Sequence, residues 1–259
     1  MSKNIRQRSA RERIAEERRK QNAREKQRKL LLGVVGGLVA ASVVVVAVVA
    51  MRNGTSGSDR KAVAYTGPAV TATRQDDGSI LMAKEGVTGP TLEVFEDFQC
   101  PACKRLDEAV GDVIKKAAAD GRARVVFRPF QLFKAPAFPE PMPSVSRRGA
   151  NAAFCAPADK WASYTKTLFA HQPVEGKNGF ENGELLGWAR DLGFHTPEFD
   201  RCVTNMEKAA DIEKATAYAE RQKVTSTPLV RLDGKDLTPE QMDQVFSDPS
   251  GLDRILSAS

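Results

Sequence analysis

The distribution of apolar side chains divides the chain into stretches of different character. Residues 30–51 (LLLGVVGGLVAASVVVVAVVAM) carry no charge and one polar side chain, Ser42. At about 1.5 Å per residue a helix of this length reaches roughly 33 Å, enough to cross the hydrocarbon core of a bilayer. Ahead of it, residues 1–29 have no apolar face, although the Glu16/Lys20 and Glu25/Lys29 spacings support a solvated helix. Behind it, residues 52–61 (RNGTSGSDRK) read as a flexible linker. The patterned, foldable part is residues 62–259.

Within that part the period of the apolar positions alternates between strand and helix. Val70–Arg74 and Ser79–Ala83 flank Gln75-Asp76-Asp77-Gly78, whose Asp-Gly pair predicts a hairpin. Thr91–Phe95 predicts a strand. From Pro101, suited to a first helical position, Leu106, Ala109, Val110, Val113, Ile114 and Ala117 recur at helical spacing until Asp120-Gly121. Arg124–Phe130 predicts a second strand, which makes a βαβ unit. Pro136, Pro139, Pro141 and Pro143 then exclude regular structure across a loop. From Ser144 to Gln222 the pattern is almost wholly helical, broken at Pro157, Gly193 and Thr196-Pro197, with Thr196 a candidate N-cap. Leu229–Leu232 predicts a short strand and Asp233-Gly234 a turn. Thr238-Pro239-Glu240-Gln241 matches a capping box, and a last helix is expected from about Leu252. The fold class expected is α/β, with about 80 residues of helices between the βαβ unit and the last strand.

Charge changes the picture in one respect. The net charge of +6 would suggest nucleic acid, but residues 1–29 hold 12 of the 39 basic and 4 of the 33 acidic side chains. The remainder, 27 against 29, is nearly neutral, and no nucleic-acid partner is expected. The same cluster lies just before the apolar span, so the positive-inside rule predicts a cytoplasmic N-terminus, a single-pass anchor in the bilayer and an extracytoplasmic domain. The rival reading, a cleaved signal peptide, finds a loose cleavage site at Val48-Val49-Ala50. The length of the span and the 29 residues before it favour the anchor.

Cys100-Pro101-Ala102-Cys103 is the one close cysteine pair. Such a pair is either half of a zinc site or a redox couple. Zinc needs two further ligands; Cys155 and Cys202 are far apart in sequence, and His171 and His195 have no ligand spacing. The redox reading accounts for the context: a helix N-terminus stabilises a thiolate at Cys100, and Cys103, one turn on, can resolve a mixed disulfide. No metal and no cofactor beyond the Cys100–Cys103 disulfide are expected. For Cys155 and Cys202 an oxidising compartment favours a structural disulfide, against two buried thiols or a second redox centre. Trp161, Phe169, Phe180, Trp188, Phe194 and Phe199 suit the core of the helical segment, or in part a substrate groove.

The segment Phe95-Glu96-Asp97-Phe98-Gln99-Cys100-Pro101-Ala102-Cys103-Lys104 resembles the active-site segment of DsbA-like thioredoxin-fold proteins of the bacterial cell envelope. Val224-Thr225-Ser226-Thr227-Pro228-Leu229-Val230 is similar to their second signature, a loop whose proline is cis. The helical stretch between the two, about 144–222, matches the insertion that separates these proteins from plain thioredoxins. The resemblance covers roughly residues 69–259. It implies a thioredoxin fold with a helical insertion, Cys100 as nucleophile, Cys103 as resolving cysteine, Pro228 as the cis-proline, and Thr227, Pro101 and Ala102 facing substrate. It departs at Val94, six residues before Cys100, where thioredoxins and the best-known DsbA proteins carry a buried acid. Glu93 and Glu96 lie nearby, with Glu93 on the opposite strand face. The Pro-Ala dipeptide also differs from the Pro-His and Gly-Pro versions.

The function this implies is an anchored oxidase that passes a disulfide to exported proteins and is restored by a membrane partner similar to DsbB or VKOR. An envelope reductase or isomerase on the same fold, and a non-catalytic anchored binding module, are the alternatives. Residues 52–88 leave no room for a dimerisation domain, so a monomer is expected.

Overall fold

The computed structural model describes residues 60–70, 72–248 and 250–257. The basic arm, the apolar span 30–51 and the linker up to residue 59 lie outside the described residues. Among the described residues no helix is long and apolar enough to cross a membrane.

The centre is a six-stranded mixed sheet in the order β1-β2-β4-β3-β5-β6. The expected hairpin is β1 (Ala72–Arg74) and β2 (Ile80–Met82), closed by Gly78 at φ +86°. β3 (Thr91–Glu96) and β4 (Arg124–Pro129) run parallel, with Val94 opposite Phe127. β5 (Leu229–Leu232) returns antiparallel to β3, with Leu229 opposite Phe95, and β6 (Lys235–Asp236) completes a second hairpin not foreseen from sequence.

β3 alternates between two buried faces. Leu92 and Val94 point into the main core, which includes the helix that follows and the interior of the helical segment. Phe95 points into a smaller cluster with Phe154, Ile212 and Ala219. On that second face Glu93 and Asp77 hold the Arg128 guanidinium, each at 2.6 Å, and it stacks 4.3 Å over the ring of Tyr218.

The helix after the cysteine motif departs from expectation. It is α1 (Pro101–Leu106), a π-helical turn (Asp107–Gly111) and α2 (Asp112–Asp120), ended by Gly121 at φ +77°. The wide turn tilts Asp107 over Gly111, where an added Cβ would lie 2.4 Å from the Asp107 carboxylate, and Asp107 reaches the buried Lys115 ammonium at 2.9 Å. An amphipathic pattern does not register such a turn, which inserts a single residue into the helical ladder.

The helical segment comprises α3 (Met142–Cys155), α4 (Trp161–Ala170), α5 (Asn182–Asp191), α6 (Pro197–Thr204) and α7 (Ala209–Arg221). α3 starts two residues earlier than expected, because Pro143 falls in its first turn, where no N–H is needed. Breaks at 171–181 and 205–208 were not anticipated; Thr196 does cap α6 through the Phe199 N–H. Trp161, Phe169, Phe180, Trp188, Phe194 and Phe199 are all buried, so they belong to the core of the segment. Cys155 and Cys202 are joined at an S–S distance of 2.02 Å, tying α3 to α6. α8 (Pro239–Ser247) carries the capping box of Thr238 and Gln241, and α9 (Ser250–Ser257) begins just before the expected position.

Residues 60–65, partly assigned to the linker from sequence, lie as a strap across α4 and α5. Trp188 Nε1 donates to Arg60 O at 3.0 Å and His171 Nε2 contacts Lys61 O at 2.8 Å. The Val63 N–H donates to Thr167 Oγ1, and the Tyr65 N–H to Ser163 Oγ, both at 3.1 Å.

Candidate functional site

The site is built where β3 ends and α1 begins. Glu96 is the last strand residue; Asp97-Phe98-Gln99 turn the chain, and Cys100 is the N-cap of α1 with φ −78° and ψ 118°. Pro101 follows at the first helical position, so its missing N–H leaves nothing unpaired. The turn is held chiefly by the Asp97 carboxylate. Its Oδ1 accepts the Gln99 N–H at 2.8 Å, while Oδ2 accepts the Leu132 and Phe133 N–H groups at 2.8 and 3.3 Å and the Ser146 hydroxyl at 2.7 Å. The Cys100 N–H donates to Asp97 O at 2.9 Å. Behind the turn, Gly149 of α3 lets the helix backbone close in: a Cβ there would lie 3.0 Å from the Phe98 Cβ.

The two sulfurs are electronically unequal. The Cys103 thiol donates to the Cys100 sulfur, and the Thr227 hydroxyl and the Cys103 and Ala102 N–H groups add to it. Together they outweigh burial and bring the Cys100 pKa from 9.0 down to about 6. These groups are two free N–H donors of a helix first turn plus two side chains, the arrangement that makes a thiolate at neutral pH. Cys103, fully enclosed, is pushed well above the usual thiol range, first by burial and then by its neighbour's sulfur. Both cysteines are free thiols in this structure.

Thr227 arrives from the far end of the chain. The Thr227–Pro228 peptide bond is cis, and β5 starts at Leu229, paired with Phe95 at the end of β3. This places the Thr227 carbonyl 3.3 Å from the Cys100 sulfur. The Thr227 hydroxyl is buried and has no hydrogen-bond partner among the described residues, so its pull on the Cys100 sulfur is one of proximity. Thus Cys100, Pro101, Ala102, Cys103, Thr227 and Pro228 come together, with Pro101 and Ala102 half-buried at the surface. Cys155 and Cys202 are bonded to one another and belong to the helical segment. His195 pairs with Asp200 at 2.6 Å, and His171 stacks on Trp188.

At the acid position Val94 is buried in the core. Glu93 faces the other way, bound to Arg128. Glu96 is enclosed, its Oε1 has no hydrogen-bond partner among the described residues, and burial together with Asp107 and Asp97 raises its pKa to about 8 against the pull of Lys115. Two contributors escaped the sequence reading. One is Asp97 as a hub. The other is Gln172, just past α4, whose Nε2 donates to Phe98 O at 2.8 Å and to Cys100 O at 2.9 Å. Neither has a local signature, since their partners lie from 2 to 74 residues away and most are remote.

The model of the thioredoxin family matches residues 88–247. The chain belongs to the thioredoxin family. Its fold is shared with DsbA-like members that have been solved. A thiol-disulfide oxidoreductase MdbA from Corynebacterium matruchotii is 21% identical, with a TM-score of 0.56 over 71% of this chain and 91% of that one. Oxidised BdbD from Bacillus subtilis is 19% identical, with a TM-score of 0.57 over 74% and 97%. Reduced DsbA from Mycobacterium tuberculosis is 21% identical, with a TM-score of 0.51 over 73% and 98%. No curated protein matches the chain. The thioredoxin fold with a helical insertion, expected from the two signatures, is therefore present.

Two pH dependences follow. Iodoacetamide alkylation of the reduced chain should report a Cys100 pKa near 6 while Cys103 stays silent; a Cys100 value at or above 8 would contradict the site's electrostatics. A depressed thiol pKa adds stability that is present above the ordinary thiol value and is lost as pH falls through about 6. The reduced form should therefore gain on the oxidised form as pH rises across that window. Glu96 has the opposite sign. Its folded-state pKa is raised, so its contribution is complete below the ordinary glutamate value and is lost as pH rises through about 8. In the oxidised chain Glu96→Gln should match wild type at pH 4 and exceed its stability at pH 9, by on the order of 5 kcal/mol. Equal melting curves at both pH values would show that Glu96 is not held as a buried acid.

Proposed function

We propose that the chain is an extracytoplasmic thiol–disulfide oxidoreductase that donates the Cys100–Cys103 disulfide to exported proteins. The observation that carries this is the pairing of an acidic thiol at a helix start, Cys100, with an enclosed partner, Cys103, beside the Thr227–Pro228 cis bond. A substrate thiolate attacks the Cys100 sulfur, and Cys103 leaves and takes up a proton. A second substrate thiol, losing its proton, attacks the substrate sulfur of the mixed disulfide, and Cys100 leaves as a thiolate. The substrate dithiol has lost two electrons and become a disulfide; the enzyme disulfide has gained them. The last step is fast in the forward direction because a thiol of low pKa is a good leaving group.

The same inequality favours oxidation over reduction. Stabilising the Cys100 thiolate stabilises the reduced enzyme, which makes its disulfide the stronger oxidant. Thr227 presents its backbone to an extended substrate segment, with Pro101 and Ala102 on the other side of the sulfur. Glu96, a buried carboxyl with its pKa raised to about 8 on the same face of β3 as Val94, takes the place of the acid missing at position 94 as proton source. Residues 30–51 anchor the chain in the bilayer with the basic arm in the cytoplasm, and a membrane oxidase resembling DsbB or VKOR reoxidises the pair. The enzyme works as a monomer.

Two measurements test this. The full chain in detergent, equilibrated with glutathione buffers, should show a Cys100–Cys103 potential well above that of thioredoxin; a value near roughly −270 mV would favour the reductase reading instead. A reporter fused after residue 259 should be active only in an exported format, and activity of a cytoplasm-only reporter would overturn the topology.

A further inference from the structure

Gln172 lies in the turn that closes α4, its own N–H bonded to Phe169 O at 3.2 Å. From there its side-chain amide crosses to the redox turn and donates both hydrogens, one to Phe98 O and one to Cys100 O. The ring of Phe98 rests on Phe169 at a centroid distance of 5.0 Å, so the contact between turn and helix is apolar on one side and hydrogen-bonded on the other. Lys104 adds a donation from Nζ to Ala170 O at 3.4 Å. The Cys100 carbonyl thus accepts from two sides, the Gln172 amide and the Lys104 N–H of the first helical turn at 3.2 Å.

We propose that Gln172 is a positioning residue of the redox site: by donating to the Phe98 and Cys100 carbonyls together, it fixes the turn from which the Cys100 sulfur is presented to the helix start. A carbonyl oxygen is the negative end of a dipole, and one that swings toward a thiolate disfavours it. Engaging both carbonyls with one amide holds those negative ends away from the sulfur and keeps the Ala102 and Cys103 N–H groups aimed at it. The helical segment therefore contributes to the acidity of Cys100 through this side chain. This rests on the reading of Cys100 as the attacking thiol.

The test uses the full chain in detergent with Gln172→Met, which keeps length and removes both donors, and Gln172→Glu, which keeps shape and sets a carboxylate against two carbonyls. Cys100 alkylation followed against pH needs no protein substrate, so it stands apart from the oxidase assay: an unreactive wild type in that assay sinks the proposed function, whereas the alkylation profile judges Gln172. Loss of a hydrogen bond of ordinary strength should raise the Cys100 pKa by about half a unit to one unit in the Met variant, and by more in the Glu variant. A role in packing alone would lower melting temperature equally in both and leave the profile where it is, which would overturn the proposal. Should neither variant fold, the side-chain amide hydrogens of Gln172 in the reduced wild type decide the matter. Slow exchange with solvent supports two formed hydrogen bonds, and exchange at the free rate overturns them.

Discussion

The site depends on one buried carboxylate. Asp97 has almost no exposure, and burial alone pushes its pKa up. It is tolerated because donors from three separate parts of the chain converge on it: the redox turn, the loop after β4 and the first turns of α3. An unpaired carboxylate in that position would be costly, and a fully bonded one is rigid. Chain segments that have no regular structure of their own are thereby held to the end of β3. The geometry of Cys100 follows from this, since the turn that carries it has nowhere else to go.

The alternation of β3 separates stability from chemistry. Glu93 and Phe95 face a cluster in which one guanidinium is shared by two carboxylates and stacked on an aromatic ring, so that each charged group has a partner. Leu92, Val94 and Glu96 face the other way, toward the cysteine helix, and there the matching is incomplete: Glu96 has an unbonded oxygen and a pKa moved into the physiological range. Imperfect satisfaction of buried polar groups marks the face where protons must come and go. Substitutions on the first face should be read as changes in folding, and those at Glu96 on the second as changes in both stability and the acidity around the site.

Much of the architecture was legible because it is encoded locally. Asp77-Gly78 specified a hairpin, Pro101 a helix start, Thr196 and Thr238 the caps of α6 and α8, and the spacing of Leu106 to Ala117 a helix over the sheet. The residues gathered at the site were also nameable, since two short signatures far apart in sequence are joined by the pairing of β5 with β3. What was not legible is held by contacts between remote segments. The π turn is spanned by the Asp107–Lys115 pair, the start of the loop after β4 is held by Asp97, and the clamp on Cys100 comes from Gln172. A glutamate at a strand end, such as Glu96, reads as exposed until the neighbouring helix is known to cover it.

The strap of residues 60–65 has a mechanical meaning. Its bonds run to Trp188, His171, Thr167 and Ser163, all in or next to α4 and α5, and none of them reaches the sheet. A pull applied at Arg60 therefore meets the hydrogen bonds to the helical segment before it travels along the chain to β1. Force entering at Arg60 meets Trp188 first and then His171, the residue next to Gln172, so the clamp on the Cys100 turn is the part of the site nearest to that load.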